Sequence, residues 1–244
     1  MRIRILACDV FRREFYDAAA RSIHTVDLEF LPKGLHDLGA ERMRERIQAC
    51  LDVPTSCERI LLGYGLCNNG LVGLSAPAVP LIVPRAHDCM TLFLGGRKRY
   101  EEIFHALPGT YFHTSGWLER GDIREDLRDQ TVPHRLGMDQ TFEQLVEAYG
   151  EDNARFLQEE FAKADRHYGR FAYIHMGLEP DRFEDQSREK ARQKGWEFLH
   201  LKGNPELIRR LTDGPWEDSD FLTVPPGRHI CASHDDRILA LAPA

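Results

Sequence analysis

Two short, unbroken apolar runs, RILLGYG at 59–65 and PLIVPRA at 80–86, constrain this chain more than any other feature. Each is bounded by glycine or proline. A strand with one face in water alternates apolar and polar residues, whereas a strand covered on both faces need not. Both runs are therefore read as strands of a parallel sheet that carries helices on its two faces. The flanking sequence fits. RIRILACDV is a first strand, and FRREFYDAAARSI is a helix with Phe11, Phe15, Ala18 and Ala19 along one side. TVDLEFLPKGLH is a second strand stopped by Pro32 and Gly34, and LGAERMRERIQACL is a second helix.

After residue 90 the pattern continues with MTLFLGGRKRYEEIFHAL, helical but interrupted at Gly95 and Gly96, and GTYFHTSGW as a fifth strand. Residues 119–168 differ, being charged and helical. Phe142, Leu145, Val146 and Tyr149 fall at helical spacing behind a capping box of Thr141 and Gln144. Strand and helix then alternate again through FAYIHMG, RFEDQSREKARQK, WEFLHLKG, PELIRRLTDG and DFLTVPPG. Such alternation specifies an α/β fold with a mainly parallel sheet, either one sheet or two Rossmann-like lobes, plus a charged helical insert. The expected division is an N-terminal lobe at 1–118, a helical insert or bridge at 119–168, and a segment at 169–244 that completes the fold.

The chain has 244 residues, 42% of them hydrophobic and 29% charged, with a formal net charge of -7. That balance argues against a nucleic-acid surface. No run approaches the roughly 20 apolar residues that span a bilayer, so the expectation is a cytoplasmic protein acting on a small molecule. Six cysteines do not suggest a disulfide scaffold in such a protein, but they are unequal. Cys50 falls in a helix, Cys57 in a turn and Cys231 in the tail, where HICASH reads as a mobile terminus. Cys8, Cys67 and Cys89 each follow an apolar run.

Residues just past adjacent parallel strands meet at the carboxyl edge of the sheet, where ligands bind. Cys67, His87 and Cys89, with Cys8 as a fourth member, are the expected metal ligands there. Thiolates with an imidazole suit zinc, in closed four-ligand or open three-ligand sites. If the segment is extended, His87 and Cys89 point to one face. Arg85, Asn68, Asn69, Asp88 and Tyr64 are the expected substrate contacts, with the glycines of GYGLCNNG allowing close approach. Core packing of the cysteines, a cysteine nucleophile paired with His87, and aromatic packing by Tyr111 and Trp117 stand as alternatives.

LACDVFRREF, LLGYGLCNNGLVGL, PRAHDCMTLFLGGRKRY, GTYFHTSGWLE and GWEFLHLKGNPELIRRLTDGPWEDSDFLTVPPG together resemble the domain-of-unknown-function family numbered 1638. Where members carry GLCGNG, this chain has Asn68 in place of a glycine. The family name states no activity. Members encoded near corrinoid methyltransferases imply one-carbon or thiol chemistry, with a corrinoid or a methyltransferase as a cofactor or partner. The expected function is a zinc-dependent enzyme acting on a small anionic or thiol substrate. A non-catalytic metal- or corrinoid-binding accessory protein and a metal-free cysteine enzyme remain open beside it.

Overall fold

The computed structural model describes residues 1–120, 125–136, 138–164 and 167–243. Its first sheet contains β1 (Arg2–Cys8), β2 (Thr25–Leu31), β3 (Arg59–Gly63) and β4 (Leu81–Pro84), all parallel, in the order β2-β1-β3-β4. Helix α1 (Arg12–Arg21) links β1 to β2, and α2 (Ala40–Leu51) carries the chain back across to β3. The strand order thus reverses at β1, and the crevice between the carboxyl ends of β1 and β3 is the topological switch point, where open α/β sheets bind their ligands.

The apolar runs are buried on both sides, as their lack of alternation requires. Ile3, Ile5, Ala7, Leu61 and Ile82 pack beneath α1 and two further helices, α3 (Cys89–Phe93) and the later Glu206–Asp213. Leu6, Ile60, Leu62, Leu81 and Val83 face Met43, Ile47 and Leu51 of α2 on the opposite side. The helical stretch after residue 89 breaks where expected. Gly95 and Gly96 have φ of 85° and 145°, which end α3 and free the chain to start α4 (Arg97–Ala106).

A second sheet follows, and it gathers the remaining parallel strands. β5 (Thr110–His113), β6 (Arg170–His175) and β7 (Glu197–Lys202) pair in that order. The fifth strand is shorter than expected, because the Thr114 side chain accepts a hydrogen bond from Trp117 N–H and caps α5 (Ser115–Glu119). Helices α6 (Glu125–Arg128), α7 (Val132–Arg135), α8 (Phe142–Tyr149) and α9 (Glu151–Ala164) make up the charged insert between β5 and β6, and Thr141 and Gln144 form the expected capping box. Residues 121–124, 137, 165 and 166 of that insert lie outside the described residues.

Helix α10 (Arg182–Lys194) joins β6 to β7, and α11 (Glu206–Asp213) returns the chain to the first sheet. There β8 (Phe221–Val224) pairs antiparallel with β4, Pro84 against Phe221 and Leu81 against Val224. The short link after α11 delivers the chain to the carboxyl end of β4, so it can only run back along that strand. Sheet membership therefore divides the chain differently from the boundaries at 118 and 168. Strand β5 belongs with β6 and β7, and the tail belongs with the first lobe.

The tail is also not loose. β9 (Ile230–Ala232) and β10 (Leu239–Leu241) form a hairpin that buries Ile230, Ile238 and Leu239 against the α2 side of the first sheet. The two lobes are stitched together at several points. Asn204 N–H donates to Phe93 O at 2.9 Å, and Arg13 of α1 pairs with Glu119 of α5. Gly116 lies so close to the turn after β1 that a Cβ there would come within 1.8 Å of Val10 O. That contact seats Trp117 over the switch point.

Candidate functional site

Cys8 ends β1, Cys67 lies just past β3, and Cys89 opens α3 just past β4. Two backbone hydrogen bonds carry the β3–β4 pairing into the loops: Leu66 N–H to Ala86 O at 2.8 Å and Cys67 N–H to His87 O at 2.9 Å. A Cβ on Gly65 would stand 2.6 Å from Asp88 Cα, so glycine is what lets the loops touch. Beyond it, Cys67, Asn68 and Asn69 all adopt positive φ, at 43°, 56° and 64°. Three successive non-glycine residues in the left-handed region cost roughly 1–2 kcal/mol each. Such strain concentrates at functional sites.

Cys8, Cys67 and Cys89 line one small cavity of about 20 Å³, together with Tyr64, Trp117 and His36. Trp117 packs in the same wall, its indole N–H buried without a hydrogen-bond partner among the described residues. Although all three cysteines keep some solvent contact, burial dominates their chemistry. It pushes the Cys8 and Cys67 thiols up to about 12, and the Cys89 thiol well above its ordinary value, with the Asp88 carboxylate adding to the rise at Cys67 and Cys89. The Tyr64 hydroxyl is buried in the same wall without a hydrogen-bond partner among the described residues, and its pKa too is raised by burial.

Cys67 and Cys89 also border a larger cleft of about 370 Å³ between the lobes. His87 lies there, exposed, its ring 6.5 Å from that of Tyr100. The segment is not extended. Asp88 takes φ -153° and caps α3 through Thr91 N–H, so Cys89 turns into the helix and toward the thiol cavity while His87 stays in the cleft. The imidazole that lines the thiol cavity is instead His36, in the 3₁₀ turn Leu35–Leu38 beyond β2; it borders both cavities, with its Nε2 3.2 Å from Asp37 Oδ1. Nothing in LPKGLHDL singled it out, because its relevance comes from the β2–β1 neighbourhood.

The expected substrate contacts scatter. Asn68 borders the cleft, Asn69 is turned to solvent beside it, and Tyr64 is behind the thiols. Arg85 points away from the thiol cavity. Its guanidinium bonds Asp218 O and Oδ1, each at 2.6 Å, Arg237 O at 3.0 Å and Leu239 O, which ties β4 to the tail. Asp88 is engaged on both oxygens, by Thr91 N–H at 3.2 Å and by the Tyr100 hydroxyl at 3.0 Å. Replacing it with alanine should destabilise the protein by about 1–2 kcal/mol in urea unfolding, and Asp88→Asn by less than half of that, because the amide oxygen still caps. A larger loss for asparagine would assign the carboxylate another task.

Among the described residues, no three His, Cys, Asp or Glu side chains stand close enough, as placed, to hold a metal ion. The donor types do suit zinc, since three cysteines and one histidine line a single small cavity.

These features define a two-lobed α/β protein with a thiol-lined crevice at the switch point of its larger sheet. The chain belongs to the family described as protein of unknown function (DUF1638), whose model matches residues 30–212. Neither the curated proteins nor the solved structures contain a match. No helix among the described residues is long and apolar enough to cross a membrane.

Proposed function

We propose that Cys8, Cys67 and Cys89 hold a single zinc ion and that the protein is an enzyme acting on a small thiol or anionic substrate admitted through the cleft. The observation that carries this reading is the convergence of three strand-end cysteines, from the ends of β1, β3 and β4, on one small cavity that His36 also lines. Burial raises all three thiols, so the thiolates that zinc requires would form only with the charge of the ion beside them. A space of about 20 Å³ suits one ion, since a single water-sized sphere needs about 10–15 Å³. When bound, zinc would lower the pKa of a thiol or water toward neutrality.

The chain's own residues supply the rest. Cys67 and Cys89, shared by the two cavities, bring a cleft ligand beside the thiols. Asn68 and His87 offer polar contacts at the mouth, and Trp117 forms part of the wall of both cavities. The cleft lies at the small end of ligand sites, sized for a compact substrate and not for an enclosed corrinoid. A corrinoid or methyl donor would have to be presented at its mouth by a partner protein. A metal-free cysteine nucleophile is disfavoured, because a thiol near 12 is ionised to only about one part in 10⁵ at pH 7.

The accessory reading is kept alive by His36, which lines the thiol cavity and can close the shell as a fourth ligand. Cobalt substitution separates the two. Thiolate ligation gives intense ultraviolet charge-transfer bands. In an open site, 2-mercaptoethanol should strengthen them and release a proton, with His36→Ala behaving like the parent. A spectrum indifferent to 2-mercaptoethanol, together with metal loss in His36→Ala, establishes the closed, non-catalytic site.

A further inference from the structure

The wall of the cleft that faces Cys67 and Cys89 is aromatic, and it comes from the second lobe. Tyr111 and Phe112 belong to β5, the edge strand of its sheet, Trp117 to α5, and Tyr168 to the turn before β6. Tyr111 and Tyr168 meet edge to face at 5.5 Å, and each leaves more than a third of its surface open, 39% and 38%. Two large rings packed edge to face, each with part of its surface exposed in a concave site, offer apolar, flat surface to a ligand. The opposite wall offers sulfur and, at the rim, Asn68 and His87. Among the described residues that line the cleft the one carboxylate is Asp88, which is taken up by Thr91 and Tyr100.

We propose that the cleft selects a thiol carried on a planar aromatic or heteroaromatic ring, the ring lying against Tyr111, Tyr168 and Trp117 and the sulfur directed between Cys67 and Cys89. This specificity rests on the metal reading for the sulfur end and on the aromatic wall alone for the ring end. A cleft of about 370 Å³ accommodates one ring with a short arm. The lobes hold the two ends apart: the first lobe supplies the thiol end and the second the ring end. The Gly116–Val10 contact fixes their separation.

The test uses two thiols of nearly equal acidity and size, 2-phenylethanethiol and 2-cyclohexylethanethiol, titrated into the cobalt-substituted full-length protein. The phenyl compound should bind about tenfold more tightly, as expected from two to three aromatic contacts. In Tyr111→Leu/Tyr168→Leu that ratio should fall below about threefold, while 2-mercaptoethanol binds as in the parent. The corresponding alcohols, 2-phenylethanol and 2-cyclohexylethanol, followed by ligand-observed NMR on protein without added metal, read the ring preference with no contribution from a metal. A protein that takes up no cobalt yet prefers the phenyl alcohol would overturn the metal reading and keep the aromatic one. Equal affinities within each pair in the parent protein would overturn the aromatic proposal, whatever the metal does.

Discussion

Purified without chelator or affinity-tag metal, the protein should contain close to one equivalent of zinc. Cys8→Ser, Cys67→Ser and Cys89→Ser should each lose most of it, whereas Cys50→Ser, Cys57→Ser and Cys231→Ser should retain it. The division follows from position. Cys57 is buried at the far end of the sheet, its thiol 3.4 Å from Asp27 Oδ2, Cys50 lies on α2 beside the Arg4–Glu29 pair, and Cys231 is in the tail hairpin. None of these borders the thiol cavity. Serine keeps the size of the side chain, but its hydroxyl does not ionise near neutral pH, so one substitution removes a third of the soft donors. The loss should be at least a hundredfold in affinity. Competition with a chromophoric chelator measures it. Equal metal content in all six variants, or none in the folded parent with reduced cysteines, would remove the metal centre and leave three buried thiols as packing.

The meeting of the strand-end cysteines was legible in the sequence because parallel-sheet strands place their next residues at one edge, and apolar runs without alternation mark such strands. That logic found Cys8, Cys67 and Cys89. It stops where a residue's neighbours depend on how a loop turns. Cys89 and His87 diverge because Asp88 starts a helix between them, and a two-residue spacing cannot reveal that. Arg85 follows a strand just as Cys67 does. It is buried because the tail, more than 130 residues later, folds back onto β4. His36 comes from the loop after β2 and meets the site through the sheet order alone. Asn68 shows the opposite case. The family resemblance puts glycine at this position, and its φ of 56° accounts for that, asparagine being the non-glycine residue that best tolerates the left-handed region.

Stability should fall as the pH rises from 5 to 8.5, and Glu14→Gln should remove most of that fall. Glu14 lies in the first turn of α1, 2% exposed, and neither carboxyl oxygen has a hydrogen-bond partner among the described residues. Burial raises its pKa from 4.5 to about 8, with Glu179 and Glu119 adding to the rise and Arg13 opposing it. Glu179 is fixed in place by hydrogen bonds that its side-chain oxygens accept from Met176 N–H, Leu178 N–H and the Tyr173 hydroxyl. Below pH 4.5 Glu14 is protonated in both the folded and the unfolded chain and costs nothing. Between pH 4.5 and 8 the folded chain holds a proton that the unfolded chain has released, so stability declines as pH rises. Above pH 8 the whole penalty is present, on the order of 4–5 kcal/mol. Glutamine has the shape of the neutral acid and nothing to ionise. The variant should therefore match the parent within about 1 kcal/mol at pH 5 and exceed it by several kcal/mol at pH 8.5, a difference of roughly 10 °C in midpoint. Calorimetry at the two pH values decides it, since parallel pH profiles for parent and variant would mean that Glu14 is ionised in the folded protein and has found a partner. The site matters for function as well as stability. Glu14 lies between the Arg13–Glu119 pair and the loop after β6, at the seam where α1 of the first lobe meets the second, so ionising it loads charge onto the contact that holds the cleft walls in register.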